Sequence, residues 1–321
     1  MGNSQSMESA ESIGYGMGTG FLHKAYGPNA KKALQAIHAE VQRLECLLSR
    51  FQAESDITRI NRLAGRGKAE IRPETYEVLA MARQFSELYE GAFDVTIGPL
   101  VKLWDYPRTV VPADERIKGV LPLVNHQDLR LEASTRMAGL RYVGQSIDLG
   151  AVGKGYVSDK LLAMLLRFGV TAAFSNLGGN VAVLGTKPDG SPWRIGIRDP
   201  RSENQMIGAV EVINQAVVTS ADDQRYFIDT KGKRRHHLLD PATGYPADQG
   251  LISVTIVADS AAVADALATA AFVAGLNRAR QLLDSFPGSE AVFVDKDQRV
   301  YVTSGLKERF LASTGTEVTI V

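Results

Sequence analysis

The sequence predicts an α+β protein built on an antiparallel sheet. Long amphipathic helices are interleaved with hairpin-like strands, which is typical of that class. No low-complexity linker and no internal repeat divides the chain. Its 321 residues suffice for one large domain, and 45% hydrophobic with 22% charged residues is an ordinary globular composition. We therefore expect a disordered tail over residues 1–12 and a single folded domain over residues 13–321.

Four helices are predicted from apolar spacing and from capping signals. The first lies in "PNAKKALQAIHAEVQRLECLLSRF", where leucines and isoleucines recur at helical spacing. The second lies in "RPETYEVLAMARQFSELYEG", which has a proline in its first turn and a glycine at its end. The third runs from near Val152 to about Phe168. The fourth begins at Asp259 or Ser260, because either side chain can cap the first amides.

Strands are predicted before, between and after these helices. A short strand in "GMGTGFLHKAYG" precedes the first helix. The second half is rich in strands, with the segments "VTAAFSNLGG", "NVAVLG", "WRIGIRD", "IGAVEVINQAVVTS" and "LISVTIVA". "EAVFVDKDQRVYVTS" predicts a closing hairpin with Asp-Lys-Asp-Gln at its turn.

Charge and cysteine content exclude several classes of protein. The 36 basic residues balance the 36 acidic ones, so no overall field draws the chain to nucleic acid. Cys46 is the only cysteine, which excludes an internal disulfide and a cysteine-based zinc cluster. No apolar run approaches the length of a transmembrane helix. We therefore expect neither a nucleic-acid partner nor a transmembrane segment.

The stretch "DLGAVGKGYVSDKL", residues 148–161, predicts a strand end that turns into a helix. Gly150 lies only three positions before the pair Gly153-Lys154, and this spacing excludes a Walker loop. The exposed amides of a helix N-terminus bind anions, and Lys154 would add a positive charge. Asp148 would repel a bare phosphate, so a divalent metal is the expected mediator. The alternative is a tight turn whose small residues let helix and sheet approach closely.

A second stretch, "VADALATAAF", places Asp265 and Thr269 one turn apart on a helix rich in alanine. An unpaired carboxylate is costly to bury, so Asp265 must face water, a cation or a hydrogen-bonding network. Carboxylate and hydroxyl oxygens are hard ligands that suit Mg²⁺ bound together with substrate phosphates. A helix edge in contact with solvent is the alternative.

A third stretch, "RRHHLLDPATGYP", contains two adjacent histidines beside successive turns. A histidine in such a place suits general-base chemistry near neutral pH. His236 and His237 could equally ligate zinc, although no third ligand is evident. Side chains alternate along a strand, so the two imidazoles are expected on opposite faces, one functional and one structural.

Taken together, these stretches resemble the FAD:protein FMN transferase family, also called ApbE-like proteins. The matching segments span about residues 17–275, and the combination is specific although each fragment is not. They are "MGTGF", "LSRFQAESDITRIN", "GAFDVTIGPLVKLW", "IDLGAVGKGYVSDKL", "NLGGNVAVLG", "PWRIGIRDP", "VVTSADDQRYF", "HHLLDPATGYP" and "ADALATAAFVAG". The resemblance implies an α+β fold with tandem T-fold-like halves, an antiparallel sheet and packed helices.

The resemblance also implies roles for individual residues. The implied catalytic base is His237, with its neighbour His236 as the alternative. Implied metal ligands are the carbonyl of Ala151 and the side chains of Asp265 and Thr269. Phe51 stands where some members have a flavin-contacting tyrosine. The further implied flavin contacts are Met17, Ala92, Phe93, Asp94, Asp148, Lys154 and Leu239.

The implied activity is Mg²⁺-dependent cleavage of FAD with transfer of FMN to a Thr or Ser hydroxyl of an acceptor protein, releasing AMP. Implied acceptors are quinone-reductase subunits and FMN-carrying reductase domains. One alternative is an FAD pyrophosphatase that gives FMN and AMP, and another is a non-catalytic FAD-binding protein. Many members are lipid-anchored outside the cytoplasm. This chain shows no such signal, so we expect a cytoplasmic protein, with an extracytoplasmic lipoprotein as the alternative.

Overall fold

The computed structural model describes residues 8–89 and 91–321 and confirms the α+β class. The helices are α1 Ala30–Leu48, α2 Asp56–Arg62, α3 Pro73–Leu88, α4 Gly98–Trp104, α5 Asp114–Val120, α6 Gly153–Arg167, α7 Ala261–Ala274 and α8 Leu276–Asp284. The strands are β1 Ser9–Gly16, β2 Thr19–Tyr26, β3 Ala69–Glu70, β4 Leu129–Glu132, β5 Met137–Leu140, β6 Ala172–Leu177, β7 Asn180–Leu184, β8 Trp193–Asp199, β9 Ser202–Val212, β10 Ala216–Ala221, β11 Tyr226–Ile228, β12 Arg234–His236, β13 Leu251–Ala258, β14 Glu290–Asp295, β15 Val300–Val302, β16 Phe310–Ala312 and β17 Val318–Ile320.

One nine-stranded sheet organises the domain, in the order β1-β2-β6-β7-β10-β13-β14-β15-β17. Neighbouring strands are antiparallel except for the parallel pair β15–β17. Three smaller sheets have the orders β16-β9-β8, β3-β5-β4 and β11-β12. The predicted antiparallel sheet is therefore confirmed.

The main sheet is covered on both faces. Along β10, Ala216 and Val218 face a core formed with α1, α6, α7 and α8, whereas Val217 faces the opposite side. There, β8 and β9 contribute a second core around Trp193 and Val210. Because apolar side chains are needed on both faces, the central strand β13 is buried along its whole length.

Helices α6 and α7 are joined by a carboxylate at the start of α7. Asp159 of α6 accepts hydrogen bonds from the amides of Ala261 and Ala262, at 2.7 and 3.0 Å. It also accepts one from the Ser260 hydroxyl at 2.7 Å. Ser260 in turn caps α7 by accepting a hydrogen bond from the Val263 amide, as one of the two capping predictions has it.

The four predicted helices are present as α1, α3, α6 and α7, and the closing hairpin as β14–β15. Two predictions are corrected. The segment "IGAVEVINQAVVTS" forms two strands, because the chain turns at Asn214, whose φ is 52°. The expected disordered tail does not extend through residue 12, since β1 begins at Ser9 and pairs with β2. Residues 1–7 of that tail lie outside the described residues.

Within the described part of the chain, no helix combines the length and apolarity needed to cross a bilayer.

His23 on β2 gives the fold a pH dependence. Its side chain is fully buried, its Nδ1 lies 2.9 Å from the Ser175 hydroxyl, and its ring stacks on Phe21. Burial, and to a lesser degree the charge of His38, lowers the pKa of His23 from 6.5 to about 4. As pH falls below 6.5 the unfolded chain takes up the proton first. The contribution of His23 to stability is therefore complete above pH 6.5 and is lost as pH falls towards 4.

We expect His23→Gln to weaken this pH dependence, because glutamine can still bond Ser175 but does not titrate. Between pH 7.5 and 4.5 the wild type should lose about 2–3 kcal/mol of unfolding free energy more than the variant does. Urea unfolding at the two pH values measures both proteins. An equal loss in both would show that His23 is not the titrating group.

Candidate active site

A cleft of about 2110 Å³ opens beside the N-terminus of α6 and the C-terminal end of β12. Its walls come from the β1–β2 turn, the segment before α4, the turn before α6, the segment after β12, and α7. The twelve residues singled out from the sequence all line it: Met17, Phe51, Ala92, Phe93, Asp94, Asp148, Ala151, Lys154, His237, Leu239, Asp265 and Thr269. Side chains far apart in sequence are thus brought to one place.

The first turn of α6 is pressed against α7. A Cβ atom built on Gly155 would lie 2.7 Å from the Cα of Ala262, so no side chain fits there. The amide of Gly155 donates a hydrogen bond of 2.9 Å to Oδ2 of Asp265. The lysine at the start of α6 and the carboxylate on α7 are therefore held at a fixed separation.

We expect Gly155→Ala to destabilise the protein by about 1–3 kcal/mol, because the added methyl overpacks the contact between α6 and α7. The matched control is Gly119→Ala on α5, where a Cβ would meet nothing within 4 Å. That change should be neutral or stabilising by up to about 1 kcal/mol. Thermal unfolding of both variants measures the difference. Equal stability of the two would show that α6 and α7 can separate without cost.

Asp265 and Thr269 lie on the cleft side of α7. Asp265 is 4% exposed, and none of the described residues donates a hydrogen bond to its Oδ1. The hydroxyl of Thr269 lies 3.1 Å from that of Ser220. Together with the Ala151 carbonyl these are hard oxygen donors, which fit Mg²⁺. Within the described residues no group of three His, Cys, Asp or Glu side chains could hold a metal, so substrate oxygens would have to complete the coordination.

Arg50, which sequence reasoning missed, compensates Asp148. Its Nε lies 2.7 Å from Oδ2 of Asp148, and the Gly150 amide donates to Oδ1 at 2.7 Å. The metal expected between Asp148 and a phosphate is therefore not required at this carboxylate. The same guanidinium lies 4.3 Å from the ring centre of Phe51, whose side chain is 81% exposed at the mouth of the cleft.

The carboxylate of Asp94 is fully engaged by the protein. Oδ1 accepts hydrogen bonds from the amide and the hydroxyl of Thr96, at 2.7 and 2.6 Å. Oδ2 accepts one from the His126 amide at 2.9 Å and lies 3.2 Å from His126 Nδ1. The hydrogen bond between the His126 ring and the Asp94 carboxylate raises the pKa of His126. Because a carboxylate offers about four acceptor positions, Asp94 orders two loops rather than offering a free carboxylate to a ligand.

The remaining predicted flavin contacts supply apolar surface and backbone. Met17 lines the cleft from the β1–β2 turn with a φ of 54°, a left-handed conformation that is uncommon for methionine. Phe93 is buried and packs edge-to-face on Phe85 and Tyr89, so mainly its backbone can reach the cleft. Leu239 is buried, and its backbone forms an isolated antiparallel β-bridge with Pro246.

The two histidines point in different directions. His236 is buried, with Nε2 3.0 Å from the Ala247 carbonyl and its ring against Phe272. His237 lines the cleft, and its Nδ1 lies 3.3 Å from the Arg225 carbonyl. A carbonyl can only accept a hydrogen bond, so this contact requires the proton on Nδ1 and leaves the Nε2 lone pair free.

Burial is the main cause that lowers the pKa of His237 from 6.5 to about 4. The positive charges of Arg225, His236 and Lys154 act in the same direction, and the hydrogen bond to the Arg225 carbonyl opposes them. The imidazole is therefore neutral over the physiological range and can accept a proton.

The sequence offered little signal for several of the groups that organise the cleft. Arg50 and Arg225 are two of 36 basic residues, and His126 lies in a turn without a recognisable motif. Their positions follow only from the folded chain.

Comparison with known proteins identifies relatives along most of the chain. The profile of the ApbE family matches residues 17–293. A relative from Treponema pallidum (strain Nichols), named FAD:protein FMN transferase, is 34% identical over 293 residues, which cover 86% of this chain and 81% of the relative. One of the same name from Klebsiella pneumoniae (strain 342) is 34% identical over 297 residues, which cover 92% of each chain.

Solved structures show the same fold. The crystal structure of the ApbE protein from Thermotoga maritima has a TM-score of 0.86 at 33% identity, covering 94% of this chain and 99% of that chain. The apo form of the flavinyl transferase ApbE from Pseudomonas stutzeri has a TM-score of 0.84 at 29% identity, covering 96% and 98%.

The fold is that of an enzyme family whose named relatives are transferases. The chain belongs to the ApbE family. This confirms the resemblance and the ApbE-like fold expected from the sequence.

Proposed function

We propose that this protein is an FAD:protein FMN transferase. It would cleave the pyrophosphate of FAD, join FMN through a phosphoester to a Ser or Thr hydroxyl of an acceptor protein, and release AMP. The observation that carries the proposal is the convergence of all twelve predicted residues on one cleft, large enough for a dinucleotide. The names of the relatives support the same reaction.

His237 would act as the general base. Its Nδ1–H is held by the Arg225 carbonyl, so Nε2 is the atom that accepts the proton of the acceptor hydroxyl. The low pKa keeps this nitrogen unprotonated at neutral pH. The oxygen so activated would form a bond to the flavin-side phosphorus as the bond from phosphorus to the AMP oxygen breaks.

The start of α6 would bind the pyrophosphate. A helix N-terminus carries partial positive charge, and the Lys154 ammonium adds a full positive charge beside it. The Gly153 and Gly155 amides are already bonded, to the Leu149 carbonyl and to Asp265, so Lys154 would supply the main attraction for the pyrophosphate. The Ala151 carbonyl, Asp265 and Thr269 would hold Mg²⁺. When bound, Mg²⁺ would offset the pyrophosphate charge and stabilise the charge that develops on the leaving AMP.

The flavin would lie between the β1–β2 turn and the segment before α4. Met17 and the backbone of Ala92 and Phe93 provide apolar and polar surface there. Phe51 would offer an exposed ring for stacking, held over the Arg50 guanidinium. As acceptors we propose flavoproteins of the kinds implied by the family, quinone-reductase subunits or FMN-carrying reductase domains.

The proposal is tested by incubating the protein with FAD and Mg²⁺, with and without a candidate acceptor domain. AMP is quantified by chromatography, and flavin fluorescence is read on a denaturing gel. We expect AMP release together with a fluorescent acceptor band, which an acceptor whose Ser or Thr is replaced by Ala should lack. AMP and free FMN without a band for any acceptor would favour a pyrophosphatase. Bound FAD without AMP release would leave a binding protein.

A further inference from the structure

We propose that the ion pair between Arg201 and Asp222 positions the imidazole of His237. Both would be positioning residues of the transfer reaction, and this inference rests on the proposed function. Neither side chain lines the cleft, so each would act through the loop that joins β10 to β11.

The ion pair is bidentate, which is the geometry of a strong charge-assisted hydrogen-bonded contact. Nη1 of Arg201 lies 2.6 Å from Oδ1 of Asp222, and Nη2 lies 2.7 Å from Oδ2. Nη1 also donates to the Pro200 carbonyl at 3.1 Å, which ties the guanidinium to the turn between β8 and β9. The Asp222 side chain is only 8% exposed. A carboxylate so buried would be left uncompensated without the guanidinium.

The loop from Asp222 to Arg225 connects the ion pair to His237. The Asp222 amide donates to the Ile252 carbonyl at 3.1 Å, which fixes the loop's first residue against β13. Three residues later, the Arg225 carbonyl accepts from the His237 amide at 3.0 Å and faces its Nδ1 at 3.3 Å. The direction of this one carbonyl selects the imidazole tautomer. A displacement of Asp222 would move it, because only two residues lie between Asp222 and Arg225.

Replacing Arg201 by glutamine should separate this role from a merely structural one. We expect the transfer rate to fall about 10- to 100-fold, because the base is misplaced, while the Kd for FAD changes less than about twofold. With the carbonyl displaced and water admitted, the acidic limb of the pH–rate profile should move to higher pH. The charged groups that face His237, namely Arg225, His236 and Lys154, are unchanged by the substitution.

A second measurement does not depend on activity. Nitrogen-15 NMR of the histidine side chains should show His237 protonated on Nδ1 in the wild type and as a mixture of tautomers in Arg201→Gln. Arg201→Lys keeps the positive charge but loses the bidentate contact, so its tautomer mixture should be intermediate between those of the wild type and Arg201→Gln. Combining Arg201→Gln with Asp222→Asn should add little to the effect of either change alone.

The matched control is Arg194→Gln on β8. This change breaks the ion pair of 2.8 Å between Arg194 and Glu211. The Arg194 side chain is 63% exposed, so the transfer rate, the pH profile and the tautomer of His237 should be unchanged. If wild type transfers FMN but Arg201→Gln matches it in rate, pH profile and tautomer, the inference is overturned. If wild type releases no AMP, the proposed function fails, and the tautomer measurement alone decides whether the ion pair positions His237.

Discussion

Asp265→Ala is expected to abolish FMN transfer, with a loss of about 10³-fold or more. The carboxylate supplies the charged donor among the oxygens that fit Mg²⁺, and a metal at a developing charge contributes several kcal/mol to the barrier. The change also leaves the buried Gly155 amide without its acceptor, so stability should fall by about 1–3 kcal/mol. Transfer is measured with saturating FAD and acceptor.

Asp265→Asn separates these two effects. The amide oxygen of asparagine can still accept the hydrogen bond from Gly155, but the charge is gone. We expect near wild-type thermal stability, weak Mg²⁺ binding by calorimetry with FAD present, and no transfer. Activity of Asp265→Asn close to that of the wild type would show that the carboxylate charge is not needed and would contradict the metal assignment.

His237→Ala should bind FAD but transfer FMN about 10²- to 10⁴-fold more slowly, because it lacks the general base. Since the pKa of His237 is lowered to about 4, its Nε2 stays unprotonated well below pH 6.5. The wild-type rate should therefore hold from pH 8 to about pH 5 and decline only as pH approaches the pKa. The variant should show no such limb.

Added imidazole provides the control for this variant. It should restore part of the rate to His237→Ala, which retains the rest of the cleft, and should not affect Asp265→Asn. FAD affinity is read separately by flavin fluorescence, so binding and chemistry are not confused. Transfer by His237→Ala at the wild-type rate, or an unchanged acidic limb, would assign the base to another group.

Sequence reasoning predicted those elements whose signals are local. The long helices α1 and α3 follow from apolar spacing, and the β14–β15 hairpin from its turn residues. The short helices α2, α4, α5 and α8 were not predicted, because 7–9 residues carry too few periods of the pattern. The first half of β1, residues 9–12, was assigned to a tail because its sequence, Ser-Ala-Glu-Ser, contains no large apolar residue.

The candidate site was predicted through combined motifs, and what was missed depends on long-range packing. Nothing near Asp148 in the sequence indicates that Arg50 pairs with it. Likewise, the four donors around Asp94 include His126, which lies 32 residues further along. The order of the strands also depends on long-range packing. Strand β2 pairs with β6 when the sheet packs against the helices, and no local propensity encodes that pairing.

The spread of the cleft along the chain, from Met17 to Thr269, has a consequence for biosynthesis. During translation the β1–β2 turn leaves the ribosome long before α7, so no nascent fragment possesses all the residues proposed to bind FAD and Mg²⁺. Flavin would therefore bind only after most of the chain has emerged and the main sheet has closed. Because such binding favours the native state alone, free FAD in the cell would protect the newly completed protein from proteolysis without assisting its earlier intermediates.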